Sequence, residues 1–241
     1  MTTWDLNQTY MLVREVFGRE QEKLAKESLR SVNDRKAYSS YHFSEAIRLS
    51  KTFERKHLSN TESLLEIYVD GAEDKQAAFE IFIIKAGAHS VAAVQSLHAI
   101  PDIFAHAIYY ATAQNLQENA LAEHDICLPK VAERLKHEKN FATLSKQLSS
   151  MQSGAGWKHL AAASNMSKHR SIIRSTYTED WSGTKAEHRE LCISAFKWRK
   201  NHHPAKSLRE LLEPEYDRLF KTVLTIGQEL NGCLSRLITA T

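Results

Sequence analysis

Glycine and proline, the residues that tight turns most often need, are scarce in this chain. It contains 8 glycines and 4 prolines among 241 residues, whereas average usage is about 7% glycine and about 5% proline. A sandwich or barrel of short strands needs frequent turns, so this scarcity argues against both architectures. Long helices are favoured instead, and a hydrophobic content of 42% is sufficient to bury their core.

Two stretches of the chain place apolar residues three or four positions apart, which is helical spacing. The first predicts a long helix whose core face contains Phe79, Phe82, Ile83, Ala86, Ser90, Val94, Leu97, Phe104, Ile108 and Ala111. Because Pro101 lacks the amide that would bond to Leu97, we expect a kink there or two abutting helices. The second predicts a C-terminal helix with core residues Leu208, Leu211, Leu212, Leu219, Val223, Ile226, Leu230, Leu234 and Leu237.

The other helices are predicted from capping residues and from breaks in the pattern. Asp5 is a suitable N-cap for the first helix, and Pro129 is a suitable first-turn residue for a later one. Breaks are expected at Asn33–Asp34, Ser59–Asn60 and Asp70–Gly71. Helices are predicted over residues 4–32, over residues 34–58, from Pro129, over residues 140–152 and over residues 157–172.

Residues 172–200 change from helical spacing to alternation. Ile173, Ser175 and Tyr177 alternate with polar neighbours before the turn residues Ser182–Gly183, and alternation resumes from Leu191. This pattern predicts a β-hairpin. The expected fold is therefore mainly α, a helical bundle with a small β-hairpin before the C-terminal helix. We expect one domain over residues 1–241, with N-terminal helices over 1–70 and a bundle core over 72–241.

Several features indicate the compartment and limit the partners. The three cysteines are widely spaced, which predicts neither a disulfide framework nor a cysteine metal site. The first ten residues lack a secretory pattern, and the apolar stretch 77–113 carries six ionisable residues, so no membrane span is expected. We predict a cytoplasmic protein. A net charge of +3 is too small to imply nucleic-acid binding by itself.

The first stretch that could carry chemistry is Ser96–Asp102, followed by His106. On a helix, Asp102 and His106 lie about 40° and about 80° from His98, beside the apolar face. A carboxylate one turn from an imidazole can orient the ring and raise its pKa. The alternative is a polar boundary, in which His98 and Asp102 bond to each other or stabilise the helix at Pro101.

The second stretch is Asn165–Arg170, which contains Lys168 and His169. Asn165 and His169 are neighbours one helical turn apart, and residues 157–174 contain four cations and no carboxylate. Such a patch favours phosphate, and an imidazole beside fixed cations can act as a general base or acid. The alternative is a basic helix end, where cations stabilise the last carbonyls.

Other motifs carry less weight. The run Lys197–His203 combines cations with Trp198 and could contact nucleic acid, although a solvated turn is the favoured interpretation. No metalloprotease, P-loop, dinucleotide-binding or nucleophile-elbow motif occurs. His98, Asp102 and His106 could supply metal ligands, but no second carboxylate–histidine motif completes a site. We therefore expect neither a metal nor another cofactor.

The motifs Ser-Leu-His-x-x-x-Asp (residues 96–102) and Asn-x-x-Lys-His-Arg (165–170) resemble those of a group of bacterial HEPN-like helical domains. The resemblance covers roughly Ala86 to Leu234. The usual signature of that family is an arginine, four to six residues and a histidine. Arg35 and His42 have this spacing but lie on an early helix, and no arginine precedes His169 in the second motif.

The resemblance implies a homodimer that binds RNA or nucleotides, as a metal-independent ribonuclease or an RNA-binding module of a bacterial toxin–antitoxin or phage-defence system. An antitoxin or defence partner is implied, and no membrane. In a ribonuclease, His169 would deprotonate the 2′-hydroxyl, Lys168 or Arg170 would stabilise the phosphorane, and Asn165 would orient the substrate. His98 and Asp102 would support this site. The alternatives are a non-catalytic scaffold that buries these polar groups, and a small-ligand or metal pocket.

Overall fold

A computed structural model of the chain describes residues 3–58, 63–69, 73–185 and 187–239. Within these ranges the helices are α1 (Leu6–Phe17), α2 (Arg19–His57), α3 (Glu66–Val69), α4 (Glu73–Ala111), α5 (Leu128–Lys136), α6 (Ala142–Ser150), α7 (Ala155–His169) and α8 (Leu208–Thr239). The strands are β1 (Ser175–Glu179), β2 (Arg189–Ile193), β3 (Phe196–Trp198), β4 (Asn201–His203) and β5 (Lys206–Ser207). The prediction of a mainly α-helical bundle with a small β-hairpin before the C-terminal helix is confirmed.

The chain divides into two compact units, and each consists of segments that are distant in sequence. Unit 1 contains Met1–Lys36, Ala99–Trp157 and Glu215–Thr241, and unit 2 contains Ala37–His98 and Lys158–Pro214. These borders differ from the expected subdivision near residue 70. The single domain predicted over residues 1–241 stays a prediction.

The break between the first two helices is not at the position that the sequence predicts. Asp5 caps α1 as predicted, because its carboxylate accepts the amides of Asn7 and Gln8. Helix α1 ends before Gly18, whose φ of 91° favours glycine. Helix α2 then runs without interruption through Asn33–Asp34, where the break was expected. Asn and Asp each cost less than about 0.7 kcal/mol in a helix, too little to end one that packs well. The expected breaks at Ser59–Asn60 and Asp70–Gly71 lie outside the described residues.

Helix α4 is a single helix that contains Pro101, and not two abutting helices. Its predicted core face is largely confirmed, because Phe82, Ala86, Val94 and Leu97 are all buried. By length and composition alone, α4 is apolar enough to cross a membrane. Its most apolar 18-residue window has a mean hydropathy of 1.5, and 28% of that window is buried.

Two small antiparallel sheets lie in unit 2. β2 is the central strand of the first sheet, between β1 and β5, and Glu179 of β1 is directly opposite Arg189 of β2. β3 and β4 form the second sheet, with Trp198 opposite Asn201. The run 197–203 is therefore a β-hairpin and not the solvated turn that was expected. Its turn contains Arg199, which has a φ of 54°.

In unit 1, the start of the chain packs against α8. The indole of Trp4 lies against Gly227 and forms an edge-to-face contact with Phe104, at 6.0 Å between ring centroids. The buried hydroxyl of Thr9 accepts a hydrogen bond from the Trp4 indole at 2.8 Å and donates one to Asn231 Oδ1 at 2.6 Å. These contacts anchor α1 to α8.

Candidate nucleic-acid interface

The residues predicted for the second motif lie at the C-terminal end of α7, in unit 2. Asn165 is half-buried, whereas Lys168, His169 and Arg170 are exposed to solvent. Helix α7 ends at His169, and the amide of Arg170 still donates to the carbonyl of Met166 at 3.0 Å. The last turn of α7 therefore presents one imidazole between two cationic side chains.

Arg170 connects the end of α7 to the β3–β4 hairpin. Its Nη2 donates to the backbone carbonyl of Lys197 at 2.6 Å, and its guanidinium lies 5.6 Å from the ring centroid of Trp198. The guanidinium of Arg199 lies 6.0 Å from the same ring. Trp198 is thus a half-buried aromatic side chain with two guanidinium groups within cation–π distance of its ring.

A layer of aromatic and imidazole rings packs the hairpin against α7. His159 of α7 is 7% exposed and makes edge-to-face contacts with Phe196 and His203, and these two rings stack at 4.7 Å. Burial is the main cause that lowers the pKa of His159, and together with the charges of His203 and Lys206 it brings the pKa to about 4. The imidazole of His159 is therefore neutral near pH 7, and its Nε2 has no hydrogen-bond partner among the described residues.

Residues 158–175 and 196–207, which all belong to unit 2, concentrate positive charge, and we call the surface that they form the α7–hairpin surface. These two segments contain no aspartate or glutamate. Their cations are Lys158, Lys168, Arg170, Arg174, Lys197, Arg199, Lys200 and Lys206. The rest of the chain has 24 basic and 29 acidic residues, a net charge of −5 against +8 for these segments.

The cations of the α7–hairpin surface differ in their partners from several other cations of unit 2. Apart from Lys168, none of the eight forms an ion pair with a carboxylate of the described residues. Elsewhere in the unit, ion pairs form between Lys51 and Glu187, Lys185 and Glu190, Arg189 and Glu179, and Arg209 and Glu213. Apart from that of Lys168, the positive charge of these cations is therefore not neutralised by a described carboxylate.

The residues of the first motif fall in both units. His98 belongs to unit 2, whereas Asp102 and His106 belong to unit 1. Asp102 Oδ1 accepts the amide of Leu128 at 3.1 Å and the side-chain amide of Gln152 at 3.4 Å. Since Cys127 offers no side-chain cap at the start of α5, the Asp102 carboxylate satisfies the first amide of that helix. Asp102 thus has a structural role within unit 1.

The other histidines of interest are half-buried. Burial lowers the pKa of His106, although the nearby charges of Glu123 and Asp102 oppose this effect. His42 Nδ1 lies 2.9 Å from His89 Nδ1, and burial together with His89 lowers the pKa of His42. Among the residues that the structure describes, no group of three or more His, Cys, Asp or Glu side chains could hold a metal ion.

The scaffold alternative expects four polar side chains to be sealed in the interior. Here His169 is exposed, and His98, Asp102 and Asn165 are half-buried. Sequence reasoning underrated the β3–β4 hairpin as part of the interface. The pattern that could have revealed it is the alternation in Phe196–Arg199, where aromatic residues alternate with cations at strand spacing.

Comparison of the chain with models of protein families, with curated proteins and with solved structures finds no match in any of the three. Functional inference therefore rests on the geometry of the α7–hairpin surface and on the resemblance of its motifs.

Proposed function

We propose that the protein binds single-stranded RNA on the α7–hairpin surface. The observation that carries this proposal is the segregation of charge, with eight cations and no carboxylate in two segments that contact each other through Arg170 and Lys197. Lysine and arginine side chains bind phosphate oxygens, and their clustering on one surface is the electrostatic footprint of a polyanion partner.

A single-stranded partner is favoured by Trp198. Proteins that bind single strands combine a cationic groove with aromatic side chains on which unpaired bases stack. Trp198 is half-buried and lies within about 6 Å of the guanidinium groups of Arg170 and Arg199, so a base that stacks on the indole brings its phosphate near both cations. RNA is preferred to DNA in this proposal because of the HEPN-like motifs at residues 96–102 and 165–170.

The test is RNA binding by wild type and two charge-reversed variants, measured by fluorescence anisotropy with a labelled single-stranded RNA over a range of salt concentrations. The first variant reverses Lys197, Arg199 and Lys200 to glutamate. The control reverses Arg19, Lys23 and Arg30 of α2, which are exposed in unit 1 and give the same change in net charge.

We expect the hairpin variant to bind at least about 30-fold more weakly than wild type near 100 mM salt. Its salt slope should fall by about 2, because each lost phosphate contact on a single strand contributes about 0.7. The control should stay within about threefold of wild type, since its substitutions change the net charge equally but leave every cation of the α7–hairpin surface in place. Equal losses in both variants, or no binding by wild type, would contradict the proposal and favour a non-catalytic scaffold.

RNA cleavage is a second candidate activity, and the exposed imidazole of His169 between Lys168 and Arg170 favours it. In this proposal His169 removes the proton of a 2′-hydroxyl, the oxygen attacks the adjacent phosphorus, and Lys168 or Arg170 stabilises the added negative charge. The bond from phosphorus to the 5′-oxygen then breaks, and the leaving oxygen takes a proton from the protonated His169 or from water, which leaves a 2′,3′-cyclic phosphate. Asn165 orients the substrate from the preceding turn, with His98 in support. The step needs no metal ion.

The activity is tested by incubating single-stranded RNA with wild type and with His169→Ala in the presence of EDTA. The matched control is His202→Ala, which removes another exposed imidazole from the same surface. We expect the His169 variant to lose at least about 100-fold in rate, the usual contribution of a general base. Equal rates in the two variants would remove His169 from the mechanism.

A toxin or defence role would further require that expression arrests bacterial growth and that His169→Ala relieves the arrest.

A further inference from the structure

Within unit 2, helix α4 exposes an apolar stripe on the side opposite its core face. The stripe consists of Ala77, Ile81, Ile84 and Ala88, all of which are exposed. Ile81 is 53% exposed and Ile84 is 70% exposed. Isolated apolar residues are common on protein surfaces, but four in register on one helix form a continuous strip that water solvates poorly.

The spacing within the α4 stripe is that of a coiled coil. The residues follow one another at intervals of four, three and four, which are the d, a, d and a positions of consecutive heptads. The α4 stripe is separate from the buried face that contains Phe82 and Ala86.

Charged side chains of opposite sign border the two edges of the stripe. Glu80 precedes Ile81 and takes the g position, and Lys85 follows Ile84 and takes the e position. Both are exposed, and neither forms an ion pair with any residue in the described ranges. They are five residues apart on opposite edges of the helix, so they do not face each other within one chain.

We propose that the α4 stripe packs against the α4 stripe of a second copy of this chain, with the two helices parallel. In a parallel pair, a g residue of one helix faces the following e residue of the other. Glu80 of each copy then faces Lys85 of the other, which gives two ion pairs around the four isoleucines. An antiparallel pair would bring g residues against g residues and would lose this complementarity. The arrangement is isologous, as a closed dimer requires.

The primary experiment is sedimentation velocity of the full chain at increasing concentration. Wild type should change from monomer to dimer, and Ile84→Lys should raise the dissociation constant at least tenfold. Ile172→Lys is the matched control, because Ile172 is 63% exposed in the same unit but lies outside the stripe, and its dissociation constant should not change. Wild type that stays monomeric, or an Ile84→Lys variant that dimerises as wild type does, would overturn the proposal.

Charge reversal tests the partner and the orientation. Glu80→Lys and Lys85→Glu should each weaken the dimer severalfold, because each places like charges across the pair. The double swap E80K/K85E should restore wild-type dimerisation. Single reversals that leave the dissociation constant unchanged would overturn the parallel pairing.

Disulfide formation gives an independent measure of register. In a Cys127→Ser background, Ala88→Cys should form an intermolecular disulfide on oxidation, because equivalent a positions face each other in a parallel pair. An antiparallel pair that matches Ile81 with Ile84 would hold the two introduced thiols about 16 Å apart along the axis, too far to bond. Absence of the cross-link in a dimeric sample would overturn the parallel arrangement.

Binding of wild-type monomer to phosphatidylcholine vesicles, lost in Ile84→Lys, would replace the second copy by a lipid surface.

Discussion

The guanidinium of Arg189 holds the carboxylate of Glu179 at 2.8 Å inside unit 2, with side-chain exposures of 1% and 6%. The two residues are directly opposite each other on β2 and β1. Glu179 Oε2 also accepts the amide of Leu64 at 2.9 Å and the hydroxyl of Ser63 at 3.1 Å. Burial alone would raise the pKa of Glu179, but the bonds from Arg189, Leu64 and Ser63 outweigh burial and lower it.

Removal of one member of this ion pair is predicted to destabilise unit 2 strongly. In Glu179→Ala, Arg189 loses its carboxylate partner at 2.8 Å, while the carboxylate of Glu54 stays at 3.7 Å, and two polar groups near α3 lose their acceptor. An uncompensated buried charge costs about 3–5 kcal/mol. Urea denaturation should show a loss of this size in the unfolding free energy. Glu45→Ala, which removes an exposed pair with Arg48, should leave the denaturation midpoint unchanged.

Two glycines of α8 are predicted to respond in opposite directions to alanine. A methyl group at Gly227 would overlap the indole of Trp4, whereas at Gly232 the nearest atom is Arg236 Nη1 at 3.5 Å. Alanine is about 1 kcal/mol better than glycine inside a helix, so Gly232→Ala should raise the melting temperature by a few degrees. Gly227→Ala should lower it, because overpacking costs about 1–3 kcal/mol and displaces Trp4 from Thr9. Thermal melting of both variants checks the signs, and a rise in both would refute the packing of Trp4 against α8.

The stacking role assigned to Trp198 predicts a selective loss of RNA affinity. Loss of one base–aromatic stack costs about 1–3 kcal/mol, so Trp198→Ala should weaken binding by about tenfold or more with little change in salt slope. Trp181→Ala is the control, because Trp181 is 63% exposed on the turn after β1 and donates to the carboxylate of Glu179. Anisotropy titrations compare the two variants. Equal affinities would exclude stacking on Trp198.

Much of the fold could be predicted because long-range packing agrees with local pattern. The core faces of α4 and α8, the cap at Asp5 and the hairpin of β1 and β2 all follow from periodicity and capping. The prediction of a break at Asn33–Asp34 was wrong, because packing along a 39-residue helix overrides the weak helix propensities of two single residues. The β3–β4 hairpin was missed because its strands have three residues each, so the alternation of aromatic residues and cations over Phe196–Arg199 is short.

The candidate site was predictable as a list of residues but not as a set of contacts. The cations of α7 are visible in the sequence, whereas the bond from Arg170 to Lys197 joins positions 27 residues apart. Local spacing carries no information on such a pair. For the same reason the sequence grouped Asp102 with His98, whereas the Asp102 carboxylate binds the amide of Leu128 at the start of α5.

Burial of His159 predicts that the protein loses stability on mild acidification. Its pKa is about 4 in the folded chain, against about 6.5 when exposed. Between these values the unfolded chain binds a proton that the folded chain excludes, so stability falls as the pH falls from about 6.5 to about 4. At pH 5 the loss relative to pH 7.5 should be about 2 kcal/mol, and the loss from this group levels off as the pH falls below about 4.

Replacement of the imidazole isolates this contribution. His159→Leu keeps an apolar side chain against Phe196 but cannot bind a proton, so its unfolding free energy should fall by about 2 kcal/mol less than that of wild type between pH 7.5 and pH 5. His202→Leu removes an exposed imidazole from the same hairpin and should keep the wild-type pH dependence. Urea denaturation of the three proteins at both pH values measures the difference. If His159→Leu and wild type lost the same stability on acidification, the imidazole of His159 would have to be protonated equally in both states, and the packing of β3–β4 on α7 would be refuted.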